Sequence, residues 1–155
     1  MLLLKSLFVL LHIVAAAAWF GLGLRLNAQA RLVVRLGGEP GHTAAEDLLR
    51  TVRQLRLFLV LTLLFALGAF FAGGGFRVYG PVYHTSLLLL VVLLLLHTFL
   101  VQPAARGLLG AVAREDGEAF TRHQKKLSMG TGLGHLLWLV VLILMLWPGY
   151  FQIAL

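Results

Sequence analysis

The chain contains no cysteine and only six acidic side chains among 155 residues. Without thiols there is no disulfide framework and no thiolate ligand, which excludes Cys-ligated zinc, copper and iron–sulfur centres. No carboxylate falls inside any long apolar stretch, so a carboxylate-ligated zinc site and a carboxylate proton relay both lack their key group. Methionine is scarce as well. Met1, Met129 and Met145 form no cluster, whereas copper handling calls for soft sulfur ligands. Charged residues amount to 12% of the chain, against 60% hydrophobic, and the mean hydropathy is +0.93. A soluble domain does not have this composition; a membrane protein does.

What the chain has instead is apolar length. A helix needs roughly 20 apolar residues to cross the hydrocarbon. Four segments qualify, about Leu2 to Leu26, Leu55 to Ala72, His84 to Val101 and Ser128 to Trp147. They consume most of residues 1–155. The reading is therefore a single all-α domain, an integral-membrane four-helix up-down bundle in contact with the lipid bilayer. Lys5, the apolar run and Ala15 to Ala18 resemble a secretory signal. The apolar pattern continues through WFGLGL, however, and reads as a retained first helix.

The formal net charge is +7, and its placement follows topology. Arg25, Arg31, Arg35, Arg50, Arg53 and Arg56 lie between spans one and two. Arg106, Arg114, Arg122, Lys125 and Lys126 lie between spans three and four, leaving only Lys5 and Arg77 at the other side. The positive-inside rule puts both basic loops in the cytoplasm and both termini outside. These arginines are matched to anionic headgroups, not to nucleic acid.

Helix one is expected to run on to Gly37-Gly38, and Thr43 with Glu46 forms a capping-box pattern that would start helix two near Ala44. Span two ends at Gly73-Gly74-Gly75, helix three continues to about Ala113, and Asp116 is placed to cap helix four near Gly117. The helices thus extend into the cytoplasm by about 10 to 12 residues, roughly 15 to 18 Å.

Four of the six histidines, His12, His84, His97 and His135, fall in the apolar spans. An imidazole in hydrocarbon needs a partner. His42, in the first loop, and His123, in the polar start of helix four, read as solvated surface residues. At 100° per residue, Lys5, His12, Ala16, Trp19 and Gly23 share one stripe of helix one, and Ser86, Leu90, Leu93 and His97 share one of helix three. Ser128, Thr131, His135 and Trp138 form the stripe of helix four. His97 and His135 fall at similar heights, with His12 near mid-membrane and His84 at the outer boundary. Such histidines serve as interhelical hydrogen bonders. Three on three inward stripes also form a ligand set, and neutral imidazole is an axial ligand of haem iron in bundles. The candidate site is therefore haem b held by His12 with His97 or by His97 with His135, or two haems if His84 pairs with His12 and His97 with His135, with Trp19 and Ser86 nearby. Alanines 15 to 18 and the run from Gly130 to Gly134 would make room for a flat macrocycle. Arg25 and Arg106 would pair with its propionates.

HIVAAAAWF in span one, with a histidine seven residues before Trp19, and YHTSLLLLVVLLLLHTFL in span three, with histidines 13 residues apart, resemble the HemJ-type protoporphyrinogen oxidases and the related CopD-like membrane proteins. The final span running to Pro148 also fits. The matching positions are His12, Trp19, His84 and His97. Val9, Ser86 and Gly130 to Leu133 stand where that family has two lysines and an Asn-Glu-Val-Pro motif. The resemblance implies a four-span bundle with a tetrapyrrole-associated site.

Three functions are thus open. The first is a b-type haem protein with bis-histidine ligation and an electron-transfer or redox role, whose partner would be a quinone or another redox protein. The second is oxidation of protoporphyrinogen IX to the porphyrin, which the resemblance implies. The third is a non-catalytic accessory or metal-handling subunit of a homo- or hetero-oligomer.

Overall fold

The computed structural model describes the backbone of residues 2–151 and the side chains of residues 2–146. It consists of four long helices. These are α1 (Leu2–Leu36), α2 (Gly38–Ala72), α3 (Pro81–Ala113) and α4 (Gly117–Phe151). A short 3-10 turn, Gly75–Arg77, lies between α2 and α3. All four helices are long and apolar enough to cross a membrane. Each packs on its neighbours in chain order and α4 returns to α1, while among the described residues the backbones of the diagonal pairs α1/α3 and α2/α4 do not come together. The result is an up-down bundle, as the alternation of apolar runs and short turns requires.

The four seams are unequal. α1 and α2 pack along most of their length, whereas α1 and α4 touch least. The α1–α2 intimacy starts at the turn, where Gly37 alone separates the helices. Gly37 and Gly38 have φ of +58° and +47°, a region open to glycine at little cost. Further along, Phe8 lies flat against Gly68, where an added Cβ would meet the ring at 2.8 Å.

The capping-box expectation is corrected here. α2 begins at Gly38, and Thr43 Oγ1 donates back to the Glu39 carbonyl at 3.3 Å inside the helix instead of capping it. The reason is Pro40. In the first turn its missing N–H costs nothing and its fixed φ favours the helix. Asp116 does cap α4, since its Oδ1 accepts the Ala119 N–H at 2.9 Å.

At the basic end the helices form an ordinary apolar stem around Leu26, Ala30, Leu48, Val52, Leu108 and Leu127, all at most 1% exposed. Interleaved with these residues, three interhelical polar contacts form a belt. Ser128 donates to Asn27 Oδ1 at 2.8 Å, Gln29 to Thr51 Oγ1 at 3.1 Å, and Arg56 to Gln102 Oε1 at 3.1 Å. Beyond the belt, many outward leucines, valines and isoleucines are exposed, the surface that lipid would cover.

α3 is interrupted by a π-helical turn over His97–Val101, in which the Gln102 N–H reaches the His97 carbonyl five residues back. Pro103 accounts for it. Its ring would collide with the Phe99 carbonyl four residues earlier and it offers no N–H in return. Widening the preceding turn relieves the collision.

A cavity under His12 and a closed layer beneath it

The inward stripe of α1 serves two different environments. Lys5, His12 and Ala16 line a cavity of about 570 Å³ near the end that carries the Gly73–Gly80 loop. Trp19 and Gly23, further along the same stripe, line a gap of only about 20 Å³ shared with His97 and His135. Between the two lies an aromatic layer. Phe20 stacks on Trp138 with centroids 4.5 Å apart, and His135 sits edge-on to Phe20 at 5.1 Å and tilted against Trp19 at 5.6 Å.

The large cavity is mostly apolar and aromatic. Ala16, Ala17, Ala66 and Ala69 withdraw from it, Phe20 and Trp138 floor it, and Lys5, Tyr79 and Tyr83 stand at its mouth. Its size lies within the range of ligand pockets, about 300 to 1,000 Å³. Of the alanines that the sequence placed beside His12, Ala16 and Ala17 line that space. The glycines of α4 do not. An added Cβ on Gly130 would lie 2.9 Å from Val101, and one on Gly134 would lie 3.4 Å from Leu93. Both glycines serve close helix packing.

His12 is the one histidine among the described residues that lines this cavity. Its Nδ1 lies 2.9 Å from the Thr62 carbonyl of α2. A carbonyl only accepts, so Nδ1 carries the proton and Nε2 of the neutral ring keeps its lone pair. That second nitrogen has no hydrogen-bond partner and is not sealed off.

His97 is engaged elsewhere. Its Nε2–H donates to the Val52 carbonyl at 3.0 Å, and the residue is 4% exposed. The two accepting carbonyls are ten residues apart on α2, or about 15 Å at 1.5 Å per residue. Two axial nitrogens on one iron are about 4 Å apart if each bond is about 2 Å. The arrangement therefore keeps His12 and His97 on separate levels.

His97 and His135 do meet at one level, as expected from their depth, but around a gap with room for about one water. His135 Nε2 is buried without a partner and closes on Gly23, where a Cβ would stand 2.7 Å away. Trp19 Nε1 is likewise buried and unpaired. His84 lies among aromatics, 5.0 Å from Phe76 and 5.7 Å from Phe70 by ring centroid. Ser86 is fully buried and returns its hydroxyl to the Val82 carbonyl at 2.9 Å. Arg25 and Arg106 are exposed and do not line the cavity. Among the described residues no three His, Cys, Asp or Glu groups converge on a metal-sized point.

In the stem, beyond the apolar span, His123 presses against Gly107 of α3 and its Nδ1 is buried without a partner. Burial, followed by the charges of Arg122, Lys126 and Arg114, holds its pKa below the ordinary 6.5.

The residues that sequence reasoning missed are Thr62, whose carbonyl orients His12, and the pair Tyr79 and Tyr83. Nothing in a leucine-rich span marks which backbone carbonyl a distant imidazole will meet. The tyrosines follow a glycine-rich turn whose path decides where they stand. Met145, from α4, completes the cavity wall. No family model, curated protein or solved structure matches this chain.

Proposed function

We propose that this chain is a membrane haem-binding protein with an electron-transfer or redox role, in which His12 is the iron ligand inside the α1–α4 cavity. One observation carries the reading. His12 donates Nδ1–H to the Thr62 carbonyl, leaves its Nε2 without a hydrogen-bond partner, and lines a cavity of about 570 Å³. A backbone carbonyl on one ring nitrogen is the usual device that fixes the tautomer and orientation of a ligating imidazole. The residues fit the group in two further respects. The alanine wall admits a flat macrocycle, and Phe20 with Trp138 offers it an aromatic floor. Bound haem would supply a one-electron couple tuned by its axial ligands and surroundings.

For a second ligand the geometry favours Met145 over a second histidine. Gly23 of α1 touches His135 of α4. From that contact His12 is eleven residues toward the cavity and Met145 ten residues along the antiparallel helix, so the two stand within about 2 Å of one level. Thioether with imidazole is an established haem ligand pair and raises the reduction potential relative to two imidazoles.

We further propose the orientation that the charge distribution implies, with the basic stem in the cytoplasm and the cavity mouth outside.

The test is an absorbance spectrum of the detergent-purified protein, oxidised and dithionite-reduced, after expression with ample haem. A Soret band with sharp reduced α and β bands is expected. His12→Ala should abolish it, whereas His97→Ala and His135→Ala should keep it. A flat wild-type spectrum overturns the haem reading, and loss with His97→Ala but not His12→Ala overturns the assignment of the ligand. Oxidation of protoporphyrinogen remains the second reading because the cavity admits a tetrapyrrole. Complementation of a strain lacking its own protoporphyrinogen oxidase separates substrate from cofactor.

A further inference from the structure

We infer that Lys5 is the anion-recognition residue of the α1–α4 cavity, and that the cavity takes an apolar molecule bearing a carboxylate that it draws laterally from the membrane. The inference rests on the cavity's being a ligand site, but not on the ligand's being haem.

The first observation is an unbalanced charge. Lys5 lines the cavity mouth, and its Nζ stands 5.5 Å from the centre of the Tyr79 ring. All six acidic side chains, Glu39, Glu46, Asp47, Glu115, Asp116 and Glu118, lie at the basic end of the bundle. The one nearest along α2, Asp47, precedes Thr62 by fifteen residues, and Lys5 lies seven residues beyond His12 in the opposite direction. At 1.5 Å per residue that separates Lys5 from any side-chain carboxylate by roughly 30 Å. Among the described residues the groups beside that ammonium are Tyr79 and Tyr83 and none is a carboxylate, and a cation–π contact at an open site is weak. A carboxylate at the mouth would meet the ammonium in a charge-assisted hydrogen bond.

The second observation is the shape of the opening. Among the described residues α1 and α4 pack together least of the four neighbouring helix pairs. Val9 and Ile13 on α1, with Leu142 and Leu146 on α4, line the cavity and are also exposed on the outer surface. The opening therefore faces the apolar surroundings of the bundle and not the stem. A ligand passing this way stays in hydrocarbon until its body lies over Phe20 and Trp138, and its charged end then stays at the rim beside Lys5. The chemistry selected is an apolar body with one charged end, a description shared by a long-chain fatty acid and by a tetrapyrrole carrying propionates.

The experiment measures binding of a fluorescent long-chain fatty acid and of its methyl ester to the full chain in nanodiscs, alongside haem and haem dimethyl ester. Wild type is expected to prefer each acid over its ester by about tenfold. Lys5→Gln should bring that ratio close to one without weakening the ester, and Lys5→Arg should restore it. Ala16→Leu, which fills the wall, should reduce binding of acid and ester together, locating both in the cavity. Equal binding of acid and ester in wild type, or a ratio untouched by Lys5→Gln, overturns the proposal and leaves Lys5 an interfacial lysine only. Absence of binding by all four probes overturns it as well. A Lys5-dependent preference for the fatty acid without any haem spectrum would sink the haem reading and sustain this one. Haem bound through His12 with no dependence on Lys5 would do the reverse.

Discussion

His12 of α1 and His97 of α3 both donate to the backbone of α2, at the carbonyls of Thr62 and Val52. Each clasps a different level of the same helix. Only the upper level opens into a large cavity. The lower one is closed by Trp19, Leu93 and the π-turn that begins at His97 itself. Two histidines alike in sequence context thus have separate parts, one facing space and one holding two helices together.

That difference makes His97 a stability residue. His97→Ala removes a buried hydrogen bond and opens a void beside Val52, and should cost about 1 to 3 kcal/mol. Thermal unfolding followed by circular dichroism in detergent would read the loss. His12→Asn keeps a donor near the Thr62 carbonyl and should lower the midpoint far less.

Close packing beneath the aromatic layer predicts a penalty for the smallest possible addition. Gly23→Ala would put a methyl 2.7 Å from His135 Nε2, forcing the ring from its place between Trp19 and Phe20. Overpacking of this kind costs about 1 to 3 kcal/mol. Gly21→Ala, with nothing near its added Cβ, is the control and should be neutral or slightly stabilising in the same melts.

The stem should respond to pH through His123. Its folded pKa lies below the ordinary 6.5 because burial and neighbouring Arg122, Lys126 and Arg114 disfavour the imidazolium. In the window below 6.5 the unfolded chain binds more protons than the folded one, so stability rises with pH there and levels off above it. Melting midpoints taken across that range should fall on acidification in wild type. His123→Gln should flatten the slope over that interval, and an unchanged slope would remove His123 from the account.

Orientation is open to a direct check because the chain has no cysteine of its own. Val78→Cys, in the exposed loop between α2 and α3, should react with a membrane-impermeant maleimide in intact cells. Glu118→Cys, at the start of α4, should react only after the membrane is permeabilised. The opposite pattern would invert the topology drawn from the arginines.

The sequence by itself determined the four helices, their up-down order and the cap at Asp116. Each follows from local causes, namely apolar length, glycine turns and a side chain that reaches its own helix N-terminus. It also marked His12 and the alanines beside it, because an imidazole among small apolar residues breaks a one-dimensional pattern. Which histidine meets open space was not legible there. Helical periodicity gives every inward residue of α1 the same angular address, whether Lys5, His12, Trp19 or Gly23, and says nothing of how far the opposite helices stand away. That depended on packing. Glycines at 23, 130 and 134 let α4 close on its neighbours at one level, while Phe20 against Trp138 holds α1 and α4 apart just above. The cavity under His12 and its anchor on Thr62 arise from contacts some fifty residues apart in the chain, and only the tertiary structure brings those together.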